Sequence, residues 1–306
     1  HAWLKENLIH FASAPGCNAN SVVEYVLCAI TSVDDYWERL ESGGKVGIVG
    51  FGHVGRRLVN RLNKLGISCL VYDPWLDLAG SWHTTVLDEI LDTDVITLHA
   101  SLNLLDPWPS RHIVNKQTLK KISQRTMLIN TARGELMDTG ALIAHIDTGN
   151  NINLVCDVWE DEPSISVELL ERARYGTPHV AGYSYNGKYC GTKMLWQSLQ
   201  KFLSTDCELP HELEQISTSL RVPAGLSPAD TARAILRNFY LIEEDDRKFR
   251  SITTGDARLD GIMFDEFRTS YGDRREVYGS SIVDTGLKSY QLDVVKGLGC
   301  VVLNDN

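Results

Sequence analysis

Runs of β-branched residues alternate with apolar residues at helical spacing along most of residues 45–204. Lys45–Val49 is a short apolar run that predicts a buried parallel strand. Val54, Leu58, Leu62 and Leu65 then recur on one helical face, and Gly66 ends that helix. Further strands are predicted in "SCLVYDP" (68–74), "DVITLHA" (94–100), "TMLINTA" (126–132), "NLVCDVW" (153–159) and "YGTPHVA" (175–181). Helical stretches such as "GALIAHIDTG" (140–149) separate most of them. Such alternation predicts an α/β fold, a Rossmann-type doubly wound parallel sheet with ligands at the strands' carboxyl ends.

The flanks follow other patterns. "NANSVVEYVLCAITSVDDYWERL" (18–40) predicts one long helix entering this domain, capped by Asn18 or Asn20. Residues 186–204 predict another helix. After Pro210 the character changes. Ser227 followed by Pro228, with Asp230 three residues after the cap, marks a helix start. Ala232, Ile235, Leu236, Phe239 and Ile242 give that helix one apolar face. "SSIVDTG" and "CVVLND" predict strands around a helix containing Leu292, Val295 and Leu298.

Between the first two strands lies Gly50-x-Gly52-x-x-Gly55. Gly50 permits the tight turn, Gly52 lets the backbone approach a pyrophosphate, and Gly55 lets helix and strand pack closely. The first helical N–H groups, near His53 and Val54, are free to meet phosphate. Asp73, near the end of the second strand, suits the hydroxyls of an adenosine ribose and repels a 2′-phosphate. Pro74-Trp75-Leu76 supplies no arginine to reverse that preference, so the expected cofactor is NAD. A glycine-rich turn without a ligand would leave the three glycines and the acidic strand end unexplained.

Other polar residues cluster at later strand ends: Arg133, Asp157, Glu162 and His179. Oxidising an alcohol with a nicotinamide needs a base for the hydroxyl proton, and a histidine has a pKa near neutrality. Glu162 is the expected partner that orients His179 and stabilises its charged ring. The planar fork of Arg133 suits bidentate binding of a substrate carboxylate. Each has a duller alternative: a surface arginine, a helix-start glutamate, a turn histidine. Three such residues after successive strands, behind a cofactor turn, favour catalysis.

A net charge of −10 argues against an extended nucleic-acid surface and leaves room for a local basic pocket. Seven scattered cysteines with no C-x-x-C pair suit reduced thiols in a cytoplasm, and no metal-ligand spacing with histidine occurs. No apolar run reaches the roughly 20 residues needed to span a bilayer, so no membrane partner is expected. "HAWLKENLIH" lacks a signal peptide's basic end and apolar core. It also lacks an initiating methionine, so we expect a fragment whose true beginning is absent.

"GFGHVG", "INTARGELMD", "DVWEDEP" and "TPHVAGYS" together resemble the D-2-hydroxyacid dehydrogenase family over nearly the whole chain. Within it, "APGCNANSVVEYVL", "HVAGYSYNGKYCGT" and "SYGDRREVY" resemble the branch that oxidises 4-phospho-D-erythronate with NAD in bacterial vitamin B6 synthesis. The resemblance implies Arg133, Glu162 and His179 as catalytic, with His179 the proton donor or acceptor. It implies Asp73 on the ribose, Asp157 near the nicotinamide carboxamide, and Ala100, Thr131 and Gly182 beside the cofactor. Tyr183 would touch the substrate. Apart from the resemblance, Lys188 sits at the start of the next helix, five residues beyond Tyr183, where it is either an anchor for the substrate's phosphate or a solvated surface lysine. Ala100 replaces a polar residue usual in the family, so its contact would be through backbone or packing.

The implied domains are residues 1–18, a remnant of a substrate lobe; 19–183, the NAD-binding domain; 184–206, a helix returning to the substrate lobe; and 207–306, an α+β domain for homodimerisation. Alternatives are a dehydrogenase of another D-2-hydroxyacid, such as phosphoglycerate or glycerate, and a non-catalytic NAD-binding scaffold.

Overall fold

The computed structural model describes residues 2–76, 84–205 and 219–304; Cys207 lies outside them. Strands β1 (Lys45–Val49), β2 (Ser68–Tyr72), β3 (Val95–Leu98), β4 (Met127–Asn130), β5 (Asn153–Cys156) and β6 (Tyr175–Gly176) form one parallel sheet. Their order is β2-β1-β3-β4-β5-β6. Every residue of β3 and β4 is buried, as a sheet covered by helices on both faces requires. Each strand falls within its predicted run, but β6 is only two residues long. From Thr177 the chain leaves the sheet for a loop held by side-chain bonds.

The order reverses between β1 and β3, and this opens a crevice at their carboxyl ends. Helices Ala19–Ser32 and His53–Lys64 contribute to the core on one face. Leu87–Leu91, Thr139–Asp147 and Val167–Arg172 contribute to the core on the other.

The long helix expected over 18–40 is instead two, Ala19–Ser32 and Tyr36–Glu41. Asp34 at φ +41° turns the chain between them, and Val33, Tyr36 and Trp37 are all buried by that bend. Asn18 holds the cap position but its side chain makes no capping bond. Its amide instead lies where a Cβ on Gly182 would have to go.

The tail forms a second parallel sheet, β7 (Ser219–Arg221), β8 (Ser281–Asp284) and β9 (Val301–Asn304), in that order. Helix Pro228–Phe239 starts as predicted, with Ser227 Oγ accepting from the Asp230 N–H at 3.1 Å. Ala232, Ile235 and Leu236 are buried, but Ile242 belongs to the next helix, Ile242–Ile252, because the chain turns at the extended Tyr240. Helix Ala257–Thr269 follows, and helix Ser289–Gly297 links β8 to β9. Ile235, Ile282 and Val295 share one core with Val26 and Leu58, while Phe249 and Phe264 join the other. The tail is thereby packed into both cores of the cofactor domain.

Candidate active site

The turn after β1 has the predicted construction. Gly50 sits at φ +99°, and a Cβ there would fall 2.5 Å from the Ala100 nitrogen at the end of β3. A Cβ on Gly55 would fall 2.1 Å from the Gly50 carbonyl oxygen. Gly52, by contrast, faces open space, with nothing within 4 Å of such a Cβ. As the cap of helix His53–Lys64 it offers no side-chain acceptor, so the N–H groups at His53 and Val54 stay available. An open cradle at a helix N-terminus fits a pyrophosphate.

Asp73 follows β2 directly, and its carboxylate accepts from the Phe51 N–H (2.8 Å) and the Trp75 N–H (3.2 Å). The same carboxylate that would bind a ribose therefore clasps the glycine turn. Beside it a cavity of about 310 Å³ runs between Gly50, Asp73, Ala100 and the Trp75–Trp108 pair. The two indoles meet edge-on at 5.4 Å, and Trp75 Nε1 donates to the Trp108 carbonyl. Such an apolar slot fits an adenine. Sequence reasoning missed Trp108, because nothing in the local pattern shows that residue 108 returns to the end of β2.

A second cavity, about 460 Å³, is lined by Val54, Ala100, Thr131, Arg133, Asp157, His179, Gly182 and Tyr183, and also by Asn18 and His99. Residues predicted from five separate segments meet here. His99 was not among them. Its Nε2 lies 3.0 Å from Thr97 Oγ1, and its Nδ1 3.3 Å from Thr131 Oγ1. One edge stays open to the cleft, while low-polarity surroundings push its pKa down to about 3 and keep the ring neutral.

His179 adopts φ +57°, uncommon for a residue with a side chain. The loop over-determines it. The His179 N–H donates to the Asp157 carbonyl (2.6 Å) and the Thr177 carbonyl (3.1 Å). The buried Asp157 carboxylate accepts from the Val180 N–H, the Ala181 N–H and Thr177 Oγ1. Tyr25 donates to Thr177 Oγ1 at 2.7 Å, since the hydroxyl proton of Thr177 goes to Asp157. Asp157 thus aims the histidine loop, and its two oxygens are largely committed to it.

His179 Nδ1 lies 2.7 Å from Glu162 Oε2, and Glu162 Oε1 accepts from the Trp159 N–H. A carboxylate only accepts, so Nδ1 carries the proton and Nε2 is the free basic nitrogen. Glu162 sits in a turn rather than at a helix start; the next helix, Val167–Arg172, is capped by Ser166. Burial disfavours the charged imidazole, but the Glu162 bond and the fields of Asp157 and Glu162 outweigh it, raising the pKa above the usual histidine value.

Arg133 is exposed toward the cleft and makes no ion pair among the described residues. Its Nη1 donates only to the Ala132 carbonyl. The turn that presents it is tied by the fully buried Asn130, which donates to the Arg133 carbonyl and accepts from the Ala132 N–H. Asn130 is a positioning residue that sequence reasoning passed over, although it stands within the same motif. Ser184 caps helix Tyr185–Leu203, and Lys188 in that helix places its ammonium 5.7 Å from the Tyr183 ring centroid.

Comparison with known proteins gives the family. Residues 32–181 match the D-isomer specific 2-hydroxyacid dehydrogenase family in its NAD-binding domain. An erythronate-4-phosphate dehydrogenase of Cellvibrio japonicus is 37% identical over 92% of this chain and 75% of its own length. That of Psychromonas ingrahamii is 34% identical over 99% of this chain and 78% of its own length. Among solved structures, a D-lactate dehydrogenase from Treponema pallidum shares the fold, with a TM-score of 0.53 and 24% identity over 67% of this chain and 72% of its own. The chain belongs to the D-isomer specific 2-hydroxyacid dehydrogenase family, in its erythronate-4-phosphate dehydrogenase branch.

Proposed function

We propose that this protein oxidises 4-phospho-D-erythronate to its 2-oxo acid with NAD, a step of pyridoxal 5′-phosphate synthesis. The observation that carries this reading is His179, backed by Glu162, lining one cavity with an Arg133 that makes no ion pair among the described residues, at the carboxyl ends of the strands behind the cofactor turn. Bound NAD supplies the hydride acceptor.

The chain's own residues do the rest. Arg133 holds the substrate carboxylate in a two-point grip and so orients the neighbouring C2 hydroxyl. His179 Nε2 accepts the hydroxyl proton as oxidation proceeds. Glu162 keeps the ring in the correct tautomer and stabilises its positive charge. Gly50, Gly52, Gly55 and the N–H groups at His53 and Val54 receive the pyrophosphate, and Asp73 the ribose. Ala100, Thr131, Asp157 and Gly182 border the nicotinamide, and Tyr183 and Lys188 the substrate.

Residues 207–306 serve homodimerisation in this reading. Support comes from Leu259, Ile262, Val301 and Leu303, large apolar side chains exposed on the tail. A cytoplasmic location is supported by the six cysteines among the described residues, all free and three of them buried. Among the described residues no helix is long and apolar enough to cross a membrane.

The test is NADH formation by the full-length protein with 4-phospho-D-erythronate, 3-phosphoglycerate and D-glycerate in parallel. Preference for the first supports the proposal. Preference for either of the others makes it a different hydroxyacid dehydrogenase, and NAD binding without turnover makes it a scaffold.

A further inference from the structure

Arg268 lies in the last turn of helix Ala257–Thr269, far along the chain from the proposed catalytic residues, yet its guanidinium carbon lies 5.5 Å from the Tyr183 ring centroid. A second ring, Phe264, stands 5.7 Å away. Its Nε is buried and has no hydrogen-bond partner among the described residues, and its ion pair with the exposed Asp265 is long, at 3.8 Å. Leaving a buried charged donor open costs on the order of 1–3 kcal/mol, so such a group is kept where something else binds it.

Lys188 approaches the same ring from helix Tyr185–Leu203 and makes no ion pair among the described residues. Two cations from different parts of the chain thus flank one aromatic residue of the cleft. The electron-rich face of a tyrosine attracts both and holds them without neutralising either. The charge of Arg268 also reaches His179, where it opposes protonation.

Arg133 takes only one anionic group. A substrate with a carboxylate at one end and a phosphate at the other needs a second cationic station beyond the reacting carbon. A guanidinium fork and a mobile ammonium together match a phosphate's three acceptor oxygens. We infer that Arg268 and Lys188, flanking Tyr183 at the cleft, form a phosphate subsite that selects phosphorylated hydroxy acids. This rests on the functional reading above and deepens it, because the tail then supplies specificity as well as core packing.

The experiment compares Arg268→Met and Lys188→Met with the unaltered full-length protein on 4-phospho-D-erythronate and on D-erythronate. Each variant is expected to lose roughly 10–100-fold in kcat/KM on the phosphorylated acid, the scale of a charge-assisted hydrogen bond. On D-erythronate the loss is expected to stay within about twofold, with Arg268→Lys recovering part of the activity. NAD affinity, measured by fluorescence quenching, is expected to be unchanged and shows that the variants are folded. Equal losses on both acids, no loss on the phosphorylated one, or loss of NAD binding in both variants overturns the subsite and leaves the functional reading standing. An unaltered protein with no preference for the phosphorylated acid overturns both.

Discussion

His179 Nδ1 lies 2.7 Å from Glu162 Oε2, and that bond sets which nitrogen of the histidine faces the cleft. It also opposes the burial that would otherwise hold the ring neutral. In the oxidative direction the histidine must be neutral to accept a proton, so kcat/KM is expected to rise with pH through a pKa above the ordinary histidine value. Glu162→Gln leaves the burial and removes the compensating charge, so this limb moves to lower pH while the rate falls. A pH–rate profile checks both, and an unmoved limb would make Glu162 purely structural. His179→Ala is expected to cost roughly 10²–10⁴ in turnover with NAD affinity retained.

Asp73 clasps the Phe51 N–H and faces the slot that we propose for the adenosine. Asp73→Ala is expected to weaken NAD binding and to narrow the preference for NAD over NADP, because the ribose acceptor and its negative charge are lost together. Titrating both cofactors measures this. Parallel loss of both affinities with their ratio unchanged would reduce Asp73 to a turn residue.

Gly52 and Gly55 stand in one motif but meet opposite surroundings. Gly55→Ala drives a Cβ into the Gly50 carbonyl and is expected to cost stability, on the order of 1–3 kcal/mol, visible in thermal melts. Gly52 has an ordinary φ of −78°, and a Cβ there meets only open space. Gly52→Ala is expected to melt like the unaltered protein within roughly 0.5 kcal/mol, yet to bind NAD at least about tenfold more weakly. Normal NAD binding by Gly52→Ala would place the pyrophosphate elsewhere.

Glu24 is buried in the helix beneath the sheet and accepts from the Tyr278 N–H at 2.8 Å. Burial, helped by the neighbouring Glu276, raises its pKa to about 7, against the pull of Arg274. Its folded pKa exceeds its unfolded one, so the native state binds more protons between them. The stability it contributes is complete below the unfolded pKa and is lost as pH rises through the folded one. Glu24→Gln is expected to flatten the fall in urea midpoint between about pH 5 and about pH 8. The same slope in the variant would assign the effect to other groups.

Deleting residues 207–306 would remove Ile235, Ile282 and Val295 from the shared core, so assembly is better tested at the surface. β9 is an edge strand with Val301 and Leu303 exposed. Leu303→Asp is expected to convert a dimer to monomers in light scattering while the melting temperature of the protomer holds. A dimer that persists in this variant and in Ile262→Asp would place the interface elsewhere.

The parallel strands, the glycine turn and the polar residues past the strand ends that we propose as catalytic were legible in the residues themselves. Each rests on local physics: apolar runs for strands buried on both faces, glycines where backbone meets backbone, and polar groups just past strand ends. Other features depended on which distant segments meet. The break at Asp34 exists because Tyr36 and Trp37 are buried only after a turn. Asn18 became a packing partner of Gly182 because helix Tyr185–Leu203 returns beside it. Trp108, His99 and Arg268 carry no local signal of a site. Tertiary packing alone brought them to the cleft, where ring contacts, a hydrogen bond and charge act across tens of residues of chain.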